Sequence, residues 1–519
     1  MDYIKKKFKN IKSVNNIWLI LIIIFLLVSG IRIYYAFQTD YFSDNSAYFT
    51  LRQVEHISKT FIPLFNDPLS YGGRTFIFLP LFHYVLAFFT TTFSSIFIAK
   101  ILPNIFASTI VFFTYLLVHE ITKNKSVSIL TSIISAFIPI YFSKTINSIS
   151  IYSVIIPLTI FMLYLFIKIE EMKYTRYFLL IILLLLLTHP SIILLIASLL
   201  VYLALVTIEN MKLKRSEIEV SLFSAFLMIW IYLLIFKKAF LKHGFNFIWE
   251  NIPTKYFLTY FHQISIWQAI YQIGIIPFVL GIFIIYYYLF NLKNKKVYLI
   301  ISFAITTTSL LWLKLIELEF ALIFLGVILV ILFGIGYNNL NNYLKQTRFS
   351  KLETPIFIVI CIIFVLTSVL PSIILAKSVI AEATPPSYVE SLKQIKDHTP
   401  ETASIAASID EGHLITYFAE RKNLGDTNYL FLEDANEIVS DVDSLFYTVS
   451  TIKANQILHK YRVDYIMFTP EISEQYKIKK LMFLDNECFK EILNKQVSSE
   501  NEIKLYKNKC VVMKSIIIN

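Results

Sequence analysis

Long apolar stretches alternate with short polar connections over most of the chain. The first runs from Ile17 to Phe37, and ten more lie at 101–119, 126–144, 150–169, 177–188, 190–208, 218–236, 268–291, 297–313, 319–337 and 355–376. Stretches of roughly 18 to 25 apolar residues can cross a ~30 Å hydrocarbon core as helices, which satisfy their own backbone hydrogen bonds. The pattern predicts a polytopic α-helical membrane protein with about eleven spans, the first of them retained.

The basic residues of alternate connections orient these predicted spans. Five such loops contain Lys123 and Lys125; Lys168, Lys173 and Arg176; Lys212, Lys214 and Arg215; Lys293, Lys295 and Lys296; and Lys345, Arg348 and Lys351. Because cytoplasmic loops are enriched in lysine and arginine, these loops and the lysine-rich N-terminus are predicted to be cytoplasmic. A crossing by the apolar segment 76–97 would invert that order, so it is predicted to lie as a helix in the outer interface. The outer loops are then 38–100 and 237–267.

The pattern changes after residue 376, where charged residues mix with short apolar runs. Helical spacing extends from Ser387 to His398 and from Gly412 to Glu420, whereas 403–408 and 465–469 have the composition of buried strands. Alternating helices and strands predict a mixed α/β domain. The sequence therefore predicts a transmembrane domain over 1–376 and a soluble extracytoplasmic domain over 377–519.

Composition narrows the class of protein. The chain is 56% hydrophobic and only 16% charged, which excludes an ordinary soluble enzyme. The net charge of +11 is distributed over the loops as a topology signal, so no nucleic-acid partner is expected. The three cysteines show no metal-binding spacing, and a bridge between Cys488 and Cys510 is compatible with an outer location.

The first outer loop carries the most specific pattern. Asp44 follows the first span, Arg52 lies on a predicted helix, the run NDPLSYGG occupies 66–73, and an apolar segment containing Pro80 and His83 comes next. This order resembles the first external loop of the oligosaccharyltransferase catalytic subunit, a family of the GT-C superfamily of polyprenyl-phosphate-dependent glycosyltransferases. Weaker similarity continues at 139–145, 319–336 and 408–413.

The resemblance implies roles for individual residues. Asp44 takes the place of the family's aspartate that contributes to a metal site and orients the acceptor nucleophile, with Mg²⁺ or Mn²⁺ as the implied cation. Asp410 stands in the tail segment that the family uses to bind acceptor, and Glu250 lies in the outer loop where the family presents a catalytic glutamate; His243 and His262 are alternatives there. The chain departs from the family at 147–153, where an acidic pair is replaced by residues without a carboxylate. For Asp44, helix capping is the competing interpretation.

Further candidates follow from side-chain chemistry. His189 is ionisable at membrane depth and is a candidate catalytic residue, although it could instead hydrogen-bond backbone freed by Pro190. Arg52, Arg74 and Lys144 could bind a lipid-linked phosphate through charge-assisted bonds, or could be surface cations without that role. Asp67, a further carboxylate of the first outer loop, is also predicted to bind substrate.

These observations predict a glycosyltransferase that moves a sugar or oligosaccharide from a polyprenyl phosphate or diphosphate to a protein, lipid or glycan acceptor on the outer face of the cell membrane. The alternative is a catalytically inactive relative that binds lipid-linked glycan or scaffolds a glycosylation complex. The missing acidic pair favours the alternative, and the retained Asp44 loop favours the enzyme. A transporter is disfavoured because few ionisable residues are placed near mid-membrane.

Overall fold

The computed structural model describes residues 2–261, 264–348, 350–496 and 502–510. The first three quarters of the chain are almost entirely helical. The α-helices are α1 Asp2–Ala36, α2 Ser46–Thr60, α3 Leu81–Thr90, α4 Ser95–Ser108, α5 Ile110–Thr122, α6 Lys125–Ala136, α7 Pro139–Lys144, α8 Tyr152–Ile167, α9 Met172–Leu186, α10 Ile193–Ile208, α11 Arg215–His243, α12 Thr254–Tyr260, α13 Ile266–Ile273, α14 Ile275–Phe290, α15 Lys295–Trp312, α16 Leu318–Gln346, α17 Glu353–Phe364 and α18 Leu370–Ala381.

Several of these helices are suited to a membrane. Within the described residues, six helical segments are long and apolar enough to cross a bilayer, or seven if the bent pair α13 and α14 is one span. The predicted membrane-protein class is confirmed, whereas the predicted number of about eleven spans is not. Helix α3 has 10 residues, too few for a ~30 Å core at 1.5 Å per residue. Its length agrees with the prediction that the segment 76–97 does not span.

The core of the bundle is built around α16, 20 of whose 29 residues are buried. Helices α13 and α14 pack beside it and meet at an angle of 106°. The bend is located at Gly274, which has a φ of 102°, and a Cβ there would lie 2.5 Å from Ser368 Oγ. A glycine is therefore required at this position both by the backbone conformation and by the close approach of the helix that leads into α18.

The tail forms a mixed α/β unit, as predicted. Its helices are α19 Pro386–His398, α20 Gly412–Leu414, α21 Ala435–Tyr447, α22 Thr451–Lys460 and α23 Pro470–Tyr476, and its strands are β3 Ser404–Ala406, β4 Lys422–Asn423, β5 Tyr465–Phe468, β6 Phe489–Gln496 and β7 Glu502–Asn508. The sheet order is β4-β3-β5-β7-β6, with β3 parallel to β4 and β5, and β7 antiparallel to β5 and β6. A disulfide joins Cys488 to Cys510 beside the β6–β7 pair, so that predicted bridge is present.

The first outer loop and the tail share one hydrophobic core. Tyr48 and Leu51 of α2 belong to the same buried cluster as Ile405 of β3 and Ile466 of β5. A short two-stranded sheet, β1 Asn66–Asp67 and β2 Arg74–Thr75, extends the loop towards the tail. The two segments therefore lie at the same end of the helical bundle, which the predicted topology requires. The side of the membrane that this end faces stays a prediction, as does the domain boundary at 376, which falls within α18.

Candidate functional site

Asp44 lies immediately before α2. Its carboxylate accepts hydrogen bonds from the Ser46 backbone N–H at 2.9 Å and from Ser46 Oγ at 2.6 Å. Asp44 thus satisfies the N–H group of the first helical residue, which the helix itself leaves unpaired, although the N-cap position is occupied by Asn45. The side chain nevertheless remains exposed. Its remaining lone pairs are available to a ligand, so capping and a role in catalysis are compatible.

A second carboxylate, Asp410 of the tail, lies next to the Asp44 loop. Asn45 Nδ2 donates to the Asp410 carbonyl oxygen at 3.1 Å. Burial raises the pKa of Asp410, and the charge of Lys255 opposes that shift. Both Asp44 and Asp410 act electrostatically on the hydroxyl of Tyr260, which belongs to the other outer loop. The two outer loops and the tail thus converge on one region.

Two glutamates influence the same tyrosine. Glu317 and Glu250 also act electrostatically on Tyr260, more strongly than Asp410 and Asp44 do. Glu250 has a left-handed backbone with a φ of 51° and a side chain accessible to solvent. Desolvation raises its pKa. Glu250, Asp44 and Asp410 thus all act electrostatically on the same tyrosine.

Glu317, at the N-cap of α16, was not predicted from the sequence as a site residue. Burial, followed by the charges of Glu250 and Glu319, raises its pKa to about 7. Tyr152 donates to Glu317 Oε2 across a long 3.5 Å contact. A signal for Glu317 was present in the sequence, because it is an ionisable residue directly before a long apolar helix. The same argument, an ionisable group at membrane depth, identified His189 as a candidate.

His189 lies close to this group of residues. Its ring centroid is 6.2 Å from that of Tyr152 and 6.4 Å from that of Phe320. Its Nδ1 accepts from the Ser191 backbone N–H at 3.1 Å, and its carbonyl oxygen accepts from Tyr232 Oη at 3.0 Å. The ring therefore accepts a hydrogen bond from the backbone N–H of the residue after Pro190. The competing interpretation expected the ring to donate to a backbone carbonyl freed by Pro190. The catalytic role of His189 stays a prediction.

Lys144 provides the cationic side chain of the cluster. Its ammonium forms an ion pair with Glu319, and the two side chains are 42% and 45% exposed. An exposed pair of this kind contributes little to stability because both charges remain hydrated. Lys144 can therefore exchange its partner for another anion at small energetic cost. We call Asp44, Lys144, Glu250, Tyr260, Glu317 and Asp410, with Tyr152 and His189 beside them, the acidic cluster.

The remaining predicted substrate-binding residues are engaged elsewhere. Arg52 makes two hydrogen bonds of 2.6 Å to Asp67, whose side chain is 2% exposed. Arg74 pairs with Asp426 of the tail at 3.0 Å. Both cations are already neutralised by protein carboxylates, which disfavours phosphate binding. The Arg52 pair lies within the loop, whereas the Arg74 pair joins the loop to the tail. Their assignment to substrate stays a prediction.

The described residues do not fit a metal site around Asp44. They contain no group of three or more histidine, cysteine, aspartate or glutamate side chains close enough to hold a metal ion. Mg²⁺ and Mn²⁺ prefer several hard oxygen ligands from different directions. His243, one alternative to Glu250, packs against Phe431 at 6.4 Å between ring centroids, and His262 lies outside the described residues. The metal role of Asp44 therefore lacks supporting ligands in the described part of the chain.

The fold is a bundle of apolar helices in which the loop after the first helix shares a core with a C-terminal mixed α/β unit, and it is similar to several solved structures. The archaeal oligosaccharyltransferase AglB from Archaeoglobus fulgidus, in complex with an inhibitory peptide and a dolichol-phosphate, matches with a TM-score of 0.68 over 86% of this chain and 70% of that chain, at 15% identity. ArnT from Cupriavidus metallidurans, bound to undecaprenyl phosphate, matches with a TM-score of 0.51 over 95% of this chain and 98% of that chain, at 11% identity.

A further structure, the Archaeoglobus fulgidus oligosaccharyltransferase in complex with Zn and sulfate, matches with a TM-score of 0.64 over 90% of this chain and 71% of that chain, at 14% identity. No protein-family model matches the sequence, and no curated protein matches it. The predicted resemblance to GT-C glycosyltransferases is thus confirmed as a likeness of fold to membrane proteins of that superfamily.

Proposed function

We propose that this protein is a glycosyltransferase that moves a sugar or oligosaccharide from a polyprenyl phosphate or diphosphate to an acceptor at the outer face of the cell membrane. The observation that carries the proposal is the acidic cluster. Residues from both outer loops, from the tail and from the start of α16 meet there, and Tyr260 lies within the field of four of its carboxylates. Neighbouring carboxylates with perturbed pKa values are typical of catalytic sites.

The donor side of the site is formed by Lys144. Its ion pair with Glu319 is exposed and lies at the start of α16. A lipid phosphate would compete with the Glu319 carboxylate for the ammonium, and Lys144 would then stabilise the charge that grows on the departing phosphate. The structures of AglB and ArnT that match this fold hold dolichol-phosphate and undecaprenyl phosphate, which supports a lipid phosphate as the donor class.

The acceptor side is formed by carboxylates. In the transfer, the bond between the sugar anomeric carbon and the phosphate oxygen breaks, and the phosphate keeps the electron pair. The acceptor oxygen or nitrogen forms the new bond to that carbon, and its proton passes to a carboxylate. Asp44 orients the acceptor, and Glu317, with its pKa near 7, takes the proton at neutral pH. No step is assigned to a metal ion, because the described residues do not fit one.

A catalytically inactive relative that binds lipid-linked glycan is the second candidate. The segment 147–153, which lacks carboxylates where the resembling family has an acidic pair, favours it. The two candidates share the donor-binding side of the site and differ in whether a sugar leaves the donor. A transfer assay therefore separates them directly.

The test uses the purified full chain in lipid nanodiscs with radiolabelled polyprenyl-phosphate sugars and with peptide, lipid and glycan acceptors. The change Asp44→Asn keeps the side-chain shape and removes the charge, so we expect transfer to fall by about 10²-fold or more. The matched control is Asp397→Asn, an exposed aspartate on α19 of the tail. Donor binding without transfer by the wild type would favour the inactive relative, and equal transfer by D44N and wild type would remove Asp44 from the mechanism.

A further inference from the structure

A buried lysine forms hydrogen bonds to the start of the Asp44 loop, which comprises residues 37–45. Lys100 of α4 is 2% exposed. Its ammonium donates to the carbonyl oxygens of Ala36 and Thr39, each at 2.6 Å, and to Asn147 Oδ1 at 3.2 Å. Ala36 is the last residue of α1, where a cation is stabilised by the partial negative charge of the helix end. The ammonium therefore links the end of the first span to the start of the loop.

Asn147 continues this network along the loop. It is fully buried, and its Nδ2 lies 2.8 Å from Ser43 Oγ and 3.2 Å from both Thr39 Oγ1 and the Tyr41 carbonyl oxygen. Its own carbonyl oxygen accepts from the Ser43 backbone N–H at 3.2 Å. One amide thus contacts three positions of the loop, the last of them adjacent to Asp44. Asn147 can be replaced only at the cost of several unsatisfied buried groups.

The network places a positive charge beside the start of the Asp44 loop. Lys100 contributes a positive charge close to the start of the Asp44 loop, and the carboxylate of Asp40 interacts with it electrostatically. The acceptors around the ammonium are backbone carbonyl and amide oxygens, the ligand types that a hard cation also prefers. Asn147 belongs to the segment that lacks the acidic pair. An ammonium and an amide therefore hold the loop whose aspartate, by the family resemblance, is implied to contribute to a cation site.

We infer that Lys100 and Asn147 are positioning residues that fix the Asp44 loop in its working geometry, and that the loop requires no divalent cation for its order. The inference deepens the proposed function, because it names what orients Asp44 for the acceptor. Its structural part, the order of the loop, is independent of transfer activity. The two parts are measured separately.

Hydrogen exchange of the purified full chain, followed by mass spectrometry of peptides covering 37–50, measures the order of the loop. We expect Lys100→Met and Asn147→Ala to speed exchange there by roughly tenfold or more, the factor that the loss of one charge-assisted hydrogen bond produces. Lys100→Arg, which keeps the charge, should exchange more slowly than K100M. The control Lys59→Met neutralises an exposed lysine on α2 and should match the wild type.

The same measurement with excess EDTA tests the role of a cation. Wild-type exchange should be unchanged by the chelator. The inference is overturned if EDTA alone speeds exchange of the loop and Mg²⁺ restores it, or if K100M and N147A both exchange like the wild type. If K100M is not recovered as folded protein, Asn147→Ser, which loses the amide donors and retains the backbone bond to Ser43, replaces it in the comparison.

The transfer assay then tests positioning as distinct from stability. K100M and N147A should lower kcat while leaving KM for the polyprenyl-phosphate donor nearly unchanged, because they disturb the acceptor side of the site. A rise in donor KM at constant kcat would contradict a positioning role. If the wild type transfers no sugar to any acceptor, the proposed function fails, whereas the exchange result still decides how the loop is ordered.

Discussion

The ion pair between Arg74 and Asp426 joins the first outer loop to the tail, and its removal should be costly. The two side chains are 8% and 1% exposed. Asp426 also accepts from Ser70 Oγ at 2.5 Å and from the Asn428 backbone N–H at 3.0 Å. The change Arg74→Met would leave these bonds but strand a buried carboxylate without its cation. Breaking a buried pair in this way costs about 3 to 5 kcal/mol.

The effect of R74M should depend on pH. Burial raises the pKa of Asp426, but the charges of His413 and Arg74 and hydrogen bonds from Ser70 and Asn428 lower it below its ordinary value in the folded protein. A lowered pKa contributes stability above the unfolded-state pKa of about 3.9 that is lost as the pH falls through the folded-state value. Without Arg74 the pKa of Asp426 in the folded protein should rise, because burial is then opposed by fewer groups. If it rises above the unfolded-state value, the variant loses stability as the pH increases above about 4. The cost of R74M should therefore be larger at pH 8 than at pH 5.

Pulse proteolysis of the purified protein in increasing urea, scored by release of the tail, measures this cost. Lys242→Met is the matched control, because Lys242 pairs with Glu433 of the tail through side chains that are 33% and 75% exposed. An exposed pair contributes at most about 1 kcal/mol. The double variant R74M/D426N should recover part of the loss, since it removes the stranded charge. A loss for R74M no larger than that for K242M, or one independent of pH, would refute the reasoning.

Three further outcomes are expected. Glu317→Gln should remove a rise in transfer rate with pH centred near 7, because only the deprotonated carboxylate accepts the acceptor's proton; a wild-type profile that is flat from pH 6 to 8 would contradict this role. Gly412→Ala should destabilise the tail by about 1 to 3 kcal/mol or more in urea unfolding, since its Cβ would lie 2.0 Å from a backbone oxygen, whereas Gly30→Ala inside α1, with nothing within 4 Å, should not destabilise the protein because alanine is the better helix former. Reducing the Cys488–Cys510 bridge, whose cysteines are 22 residues apart, should cost roughly 3 kcal/mol in the same assay, and unchanged stability after reduction would show that the bridge constrains little.

Local periodicity and composition predicted much of the fold. The helix predicted over 387–398 and the strand over 465–469 are present as Pro386–His398 and Tyr465–Phe468. Both were recoverable because spacing and turn residues act over a few positions along the chain. The number of membrane crossings did not follow from the apolar pattern, because some apolar segments form helices that are short or bent. Helices α13 and α14, for example, are long enough to cross a bilayer only if the bent pair is taken as one span.

The candidate site was only partly accessible to sequence reasoning. The sequence predicts Asp44, Glu250 and Asp410 as site residues, and in the structure all three act electrostatically on Tyr260. Glu317 was missed, because its raised pKa depends on burial and on Glu250, which lies far away in the sequence. Arg74 was named as a phosphate ligand, but the sequence could not reveal that Asp426 of the tail already neutralises it. Pairing between distant segments has no local signal in a single sequence.

The sequence by itself therefore determined that most of the chain is apolar enough for lipid and that the tail is a polar mixed α/β unit, since composition and periodicity act locally along the chain. The tertiary structure decided which polar groups meet. It placed Asn147 and Lys100 under the loop that carries Asp44, and it brought the tail into the core of that loop. The physical reason is that hydrophobicity is additive along a chain, whereas hydrogen bonds and charge interactions exist only between groups that folding brings within a few ångströms of each other.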